Sequence, residues 1–297
     1  MLNLKPLISR ANPAKSYDEA LQRAEVLQAR DGDDINLVSR TLLLTHGRAT
    51  ERVVIWLHGY TNNPAQFRQL AQLCFDQGCN VLVPRFPRHG LQERMTGETA
   101  LLTAEELGSV AGEAVDIAGG LGQKVVVGGL SMGGVMAGWL AQQRADIDLA
   151  LLMAPVFGFM DVPVAFTRLV AGLILLLPNF FQWWDPQVKA ALGPSYAYPR
   201  RASRGLGQLL RLSFATQELA RQYKPAARRI SVLTNANDMA VNDEMIVRVV
   251  RLWQAQGASV QTYQFSADLK LGHDFIDPGS PEQHIDLSYP VIMEMLK

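Results

Sequence analysis

Lys124-Val125-Val126-Val127-Gly128-Gly129-Leu130-Ser131-Met132-Gly133-Gly134-Val135-Met136 is the stretch on which the reading of this chain turns. It opens on a β-branched run with no polar alternation, as in a strand buried on both faces. A glycine pair stops that run. Past Ser131 the apolar residues take helical spacing, so strand, tight turn and helix follow one another directly. Gly129 to Gly133 matches G-x-S-x-G, a pattern with chemical meaning only in this setting. There the turn lifts the serine oxygen above the sheet edge, and the flanking glycines remove side chains that would clash. The new helix aims free N–H groups and the positive end of its dipole at the same point.

The same alternation continues outward on both sides. Apolar runs at Arg52–Leu57, Asn80–Val83, Ile147–Met153 and Ile230–Leu233 read as further buried strands, and Val260–Phe265 reads as the last strand. Helical patterns lie between them, at Pro64–Gln77, from a capping box at Thr103 and Glu106 to about Leu121, and from Met132 towards Arg144. Strand and helix in regular succession imply a parallel sheet with right-handed crossovers, with Thr41–Leu44 as an antiparallel edge.

The pattern breaks over residues 159–228, which is therefore read as an insertion into a core made of 1–158 and 229–297. Phe157, Phe159, Phe166, Phe180 and Phe181, the Trp183-Trp184 pair and the Leu173–Leu177 run are expected to line an apolar acyl pocket there. Arg200, Arg201, Arg204 and Arg211 offer two readings, steering of an acidic substrate or a solvated face, and the second is preferred as the usual meaning of scattered basic residues.

A serine nucleophile needs a base, an acid to orient the base, and donors for the developing oxyanion. Met132 N–H, next after the serine, is the first expected donor. Tyr60 N–H, after the strand ending in Leu57-His58-Gly59, is the second. His58 precedes that glycine and is expected to be structural. Downstream of Ser131 only His273 and His284 are available as base. His273, in a loop after the last strand, is preferred to His284, which leads into the C-terminal helix. Asp238, after the Ile230–Leu233 strand, is expected to orient it, and Asp243 reads instead as the cap of the next helix.

Composition narrows the remaining classes. The 28 basic residues balance the 28 acidic ones, so no nucleic-acid or anionic partner is expected. The two cysteines, Cys74 and Cys79, form no disulfide framework and suit a reducing, cytoplasmic setting. The most apolar run, Val162 to Phe181, is broken by Arg168 and Pro178, too short for the roughly 20 residues of a bilayer span. The five histidines are scattered without ligand spacing, so neither a metal nor a cofactor is expected. Oligomeric state leaves no trace in the sequence.

Several segments together resemble the bacterial monoacylglycerol lipase and carboxylesterase group of α/β-hydrolases. They are His58-Gly59-Tyr60-Thr61-Asn62-Asn63-Pro64, Val83-Pro84-Arg85-Phe86-Pro87-Arg88-His89-Gly90, the Ser131 motif, Asp238 with Val241-Asn242, and His273-Asp274. The resemblance covers about residues 50–155 and 229–297. It implies an α/β-hydrolase fold with an inserted lid, a Ser131–His273–Asp238 triad, an oxyanion hole from Tyr60 and Met132, and a small ester substrate with an apolar acyl group. Arg88 stands where the group has glycine, and the insertion exceeds its compact lids. Thioesterase, amidase or peptidase chemistry on the same residues, and a non-catalytic binding role, are the competing readings.

Overall fold

The computed structural model describes residues 7–183 and 195–297. Among them the chain runs α1 (Tyr17–Gln28), β1 (Leu42–Leu44), β2 (Thr50–Leu57), α2 (Arg68–Asp76), β3 (Asn80–Val83), α3 (Ala104–Leu121), β4 (Gly122–Leu130), α4 (Met132–Gln143) and β5 (Leu149–Met153). It continues through α5 (Thr167–Leu176), β6 (Phe181–Trp183), β7 (Arg200–Ala202), α6 (Ser203–Gln222), β8 (Arg229–Asn235), α7 (Asp243–Ala255), β9 (Val260–Phe265) and α8 (Ile285–Met295). Seven strands form one sheet in the order β1-β3-β2-β4-β5-β8-β9. Only β1, at the edge, is antiparallel. The other pairings are parallel, as the continuous apolar runs require.

Two layers of helix cover the sheet. On one face α1, α3, α4, α6 and α7 pack over Val53, Ile55, Val127, Leu152 and Val232. On the other, α2 and α8 cover Val54, Trp56, Val126, Leu151 and Leu233. Each fully buried aliphatic side chain in these layers contributes roughly 1.5–3 kcal/mol. The capping box at the start of α3 is formed, with Thr103 Oγ1 accepting from Glu106 N–H and the Glu106 carboxylate from Thr103 N–H.

The 159–228 segment is not uniform. Strands β6 and β7 pair only with each other, apart from the main sheet. Helix α6, however, buries Leu209, Leu212 and Ala220 in the core cluster shared with α4 and α7. It is therefore a helix of the layer, and the described residues of the segment that lie outside the layered core are 159–183 and 195–202. The amphipathic pattern of α6 follows a proline-containing stretch of sequence with neither strand nor helix periodicity, so it was read as part of the insertion. No helix among the described residues is long and apolar enough to cross a membrane.

Candidate active site

Strand β4 runs straight into α4, and Ser131 at the junction has φ 58° and ψ −110°. A non-glycine residue in this region is held there only by its surroundings. A Cβ on Gly133 would stand 1.8 Å from Leu57 O, and one on Gly129 would stand 2.4 Å from the Gly133 carbonyl carbon. Both glycines are thus steric requirements of the turn. Ser131 N–H donates to Met153 O at 2.9 Å, tying the turn to β5. The Ser131 side chain makes no capping bond to its own helix.

Ser131 opens on a cavity of about 300 Å³ that His273 also lines, together with Gly59, Tyr60, Phe159, Leu206 and Met239. Behind His273, Asp238 is buried, and its Oδ2 stands 2.7 Å from His273 Nδ1. The other oxygen, Oδ1, accepts from Ala240 N–H at 2.8 Å and Val241 N–H at 3.2 Å. Burial alone raises the Asp238 pKa, but the imidazole and these donors outweigh it and hold it below the ordinary aspartate value. For His273, burial opposes the cation, while the Asp238 carboxylate and their hydrogen bond more than offset it, so its pKa is raised. Asn235 fixes the histidine loop by donating from Nδ2 to Gly272 O at 2.8 Å. Among the described residues no hydrogen bond joins Ser131 to His273. Such contacts are often long before a substrate aligns them.

His284 lies elsewhere, at the start of α8 with its N–H on Phe275 O. Asp243 makes no contact with His273. Asn242, not Asp243, caps α7 through its side chain to Met245 N–H, because it is the residue just outside the first turn. His58 is fully buried and stacked on Phe86 at 3.9 Å, and its Nε2 accepts from Phe86 N–H. That is the structural role expected of it.

The Gly59–Tyr60 loop lies against the serine: a Cβ on Gly59 would be 3.9 Å from Ser131 Cβ. Among the described residues the Tyr60 N–H makes no hydrogen bond. Two side chains hold this loop: Gln66, to which the sequence assigned no role, and His89, expected from the resemblance to be a structural loop residue. Gln66 Oε1 accepts from Gly59 N–H at 2.8 Å, and its Nε2 donates to Asp274 Oδ1 at 2.9 Å. His89 Nε2 lies 2.7 Å from Tyr60 O and its Nδ1 lies 2.8 Å from Pro87 O. Burial lowers the His89 pKa to about 4, and a neutral ring donates to only one of these carbonyls. Asn62 Nδ2 bridges Asp274 and Asp277 at 3.3 and 2.9 Å. Burial, reinforced by Asp277, raises Asp274 to about 7. The Asn62-Asn63 pair in the sequence was the one available signal for this polar floor.

Arg88 has φ 66°, the conformation glycine adopts without cost. Its guanidinium is held by Glu98 at 2.7 Å and Glu106 at 3.2 Å.

Of the residues expected to line an acyl pocket, Phe159 does so. Phe157 is fully buried in the core beneath, while Phe166, Leu173 and Phe180 are exposed. Trp184 lies outside the described residues. The apolar wall comes instead from Val156, Leu206 and Leu209, two of them on α6.

A serine on a strained strand-to-helix turn, facing a carboxylate-backed histidine across one cavity, defines a lipase- and esterase-like α/β-hydrolase. The chain belongs to the alpha/beta hydrolase family, whose model matches residues 54–283. A thermostable monoacylglycerol lipase from Bacillus sp. (strain H-257) is 28% identical over 174 residues, 55% of this chain and 62% of that protein. The matched part therefore spans under two thirds of that relative. A metagenome-derived lipolytic enzyme superposes with a TM-score of 0.65 at 17% identity, covering 88% of this chain and 98% of the other. The monoacylglycerol lipase of Paleococcus ferrophilus gives 0.63 at 17% identity, over 86% and 97%.

Proposed function

We propose that this protein hydrolyses carboxylic esters, with Ser131 as nucleophile, His273 as general base and acid, and Asp238 as its orienting carboxylate. The observation that carries this is the 2.7 Å His273–Asp238 contact behind a cavity onto which Ser131 opens. In this reading Ser131 Oγ attacks the ester carbonyl as His273 Nε2 takes its proton. Asp238 keeps Nδ1 protonated and balances the imidazolium. Tyr60 N–H and Met132 N–H receive the oxyanion, the second reinforced by the α4 dipole. His273 returns the proton to the departing alcohol, leaving an acyl-serine. Water then repeats the sequence, deprotonated by His273, and frees the acid.

The monoacylglycerol lipases among the relatives support an ester with an apolar acyl arm, and Val156, Phe159, Leu206 and Leu209 would receive it. The described residues 159–183 and 195–202, from which Phe159, Ala197 and Arg201 line the cavity, then serve as its lid. The two free, buried cysteines suit a cytoplasmic setting.

The test is fluorophosphonate labelling combined with turnover of p-nitrophenyl esters, thioesters and peptides. The expected outcome is stoichiometric labelling and ester turnover by the wild type. Both should be lost in Ser131→Ala, with a fall on the order of 10⁶ in turnover and an unchanged fold by circular dichroism. Retention of a tenth of the wild-type rate by that variant would remove Ser131 from the chemistry, and a preference for thioesters or peptides would replace the bond assigned.

A further inference from the structure

Arg201 departs from the solvated face expected of the basic residues in its segment. It is the middle residue of β7, partly buried, and it lines the same cavity as Ser131 and His273. Neighbouring arginines are occupied. Arg200 stacks over the Phe181 ring at 4.1 Å, and Arg211 makes a two-pronged contact with Glu105 at 2.6 and 2.9 Å. Arg201 has only Nε engaged, donating to Gln182 Oε1 across the hairpin at 3.2 Å. Among the described residues no carboxylate stands within ion-pair distance of it, and its two terminal amino groups make no hydrogen bond.

The cavity's own acids are committed elsewhere. Asp274 accepts from Gln66 and Asn62, and Glu282 Oε2 accepts from Asp274 N–H at 3.0 Å. Burial draws the Arg201 pKa below the ordinary arginine value, with Asp161 and Tyr60 opposing it only at a distance. A guanidinium remains charged throughout, so its partial desolvation is a cost that an incoming anion would relieve. Its Nε is pinned by Gln182, which leaves a planar two-donor edge. That is the geometry that matches a carboxylate bidentately.

We propose that Arg201 is an anion-recognition residue, and that the substrate is an ester carrying a carboxylate on one of its two arms. This rests on the ester-hydrolase reading above and narrows its substrate class. The apolar wall from Leu206 and Leu209 takes the methylenes of the substrate, and Arg201 takes its acidic terminus.

Two matched pairs of esters test it. One compares p-nitrophenyl hydrogen glutarate with p-nitrophenyl valerate, which places the acid on the acyl arm. The other compares 4-(butyryloxy)benzoate with its methyl ester, which places it on the alcohol arm. The wild type is expected to favour the anionic member of one pair in kcat/KM. The anionic-to-neutral ratio should fall about tenfold or more in Arg201→Met, since hydrogen bonds to charged groups are the strong ones. Arg201→Lys should restore part of the ratio, because it keeps the charge without the fork. A purely structural role for Arg201 would lower both members of a pair together. An unchanged ratio in Arg201→Met, or no anionic preference in the wild type, overturns the proposal.

A binding arm separates this proposal from the ester reading. Mono-ethyl glutarate or 4-(butyryloxy)benzoate should raise the thermal midpoint of Ser131→Ala and fail to raise that of Ser131→Ala/Arg201→Met. If no ester is hydrolysed but this dependence holds, the anion site stands and the ester reading falls. Should esters turn over while neither ratio nor midpoint depends on Arg201, the ester reading stands and the anion site falls.

Discussion

Asp238 and Asp243 occupy one loop-to-helix stretch but meet different surroundings. Asp238 is surrounded by donors, while burial, and then Asp238 itself, raises the pKa of Asp243. Asp238→Asn keeps the volume but lets the imidazole adopt the wrong tautomer, a change that costs about 10⁴ in kcat in other triads. Asp243→Asn should cost little rate. Measuring kcat for both decides the assignment, and a crippled Asp243→Asn beside an active Asp238→Asn would reverse it. The same pair sets the pH profile. In the proposed mechanism His273 must be neutral to accept the serine proton, so kcat/KM should rise with pH through an inflection above 6.5. Asp238→Asn should move that inflection down. The stability effects have opposite signs. The raised His273 pKa contributes fully below 6.5, and that contribution is lost as pH rises through the folded value. The lowered Asp238 pKa contributes above about 3.9 and is lost as pH falls through its folded value. Chemical denaturation across pH should therefore show the pair stabilising most between those limits. The tight turn at Ser131 and the loop position of His273 after the last strand were legible from local pattern and chain order. Gln66 was not, since nothing local links it to both Gly59 and Asp274.

At the scale of elements, glycine position separates requirement from convenience. Gly133 sits in α4 with Leu57 O where its Cβ would be, and Gly172 sits in α5 with nothing within 4 Å. Gly133→Ala should displace β2 or the turn and yield little folded protein. Gly172→Ala should stabilise by about 0.5–1 kcal/mol, because alanine loses less backbone entropy in a helix. Thermal midpoints of the two variants check this, and a soluble, active Gly133→Ala would show that the turn tolerates what its geometry excludes. At the start of α7, Asn242→Ala should cost about 1 kcal/mol through loss of its bond to Met245 N–H. The inner strands β2, β3, β4, β5 and β8 were legible because burial on both faces demands apolar residues at consecutive positions. Helix α6 was not recognised as a helix of the layer, because its buried stripe says only that something covers it.

Across the whole molecule, the cavity is built where loops at the strand ends, α6, Phe159, Ala197 and Arg201 converge. Its apolar wall should set acyl-length preference. Leu206→Ala should move the optimum in kcat/KM towards longer chains across acetyl to dodecanoyl esters, and Leu206→Trp towards shorter ones. Each methylene accommodated is worth up to about 0.8 kcal/mol, close to fourfold. An unchanged profile in both variants would take Leu206 out of the acyl wall. What the sequence by itself determined here is short-ranged: a both-faced parallel sheet, the glycine-flanked serine turn, and the helices between. Backbone sterics and continuous burial act over a few neighbouring residues, so they write themselves into consecutive positions. Only the tertiary structure decided which carboxylate stands behind His273, that Gln66 and His89 hold the Tyr60 loop, and that Leu206 rather than Leu173 faces the cavity. It also turned Arg201 inward while Arg211 found Glu105. These are through-space pairings between segments far apart in the chain, and the residues that make them would read the same locally with any other partner.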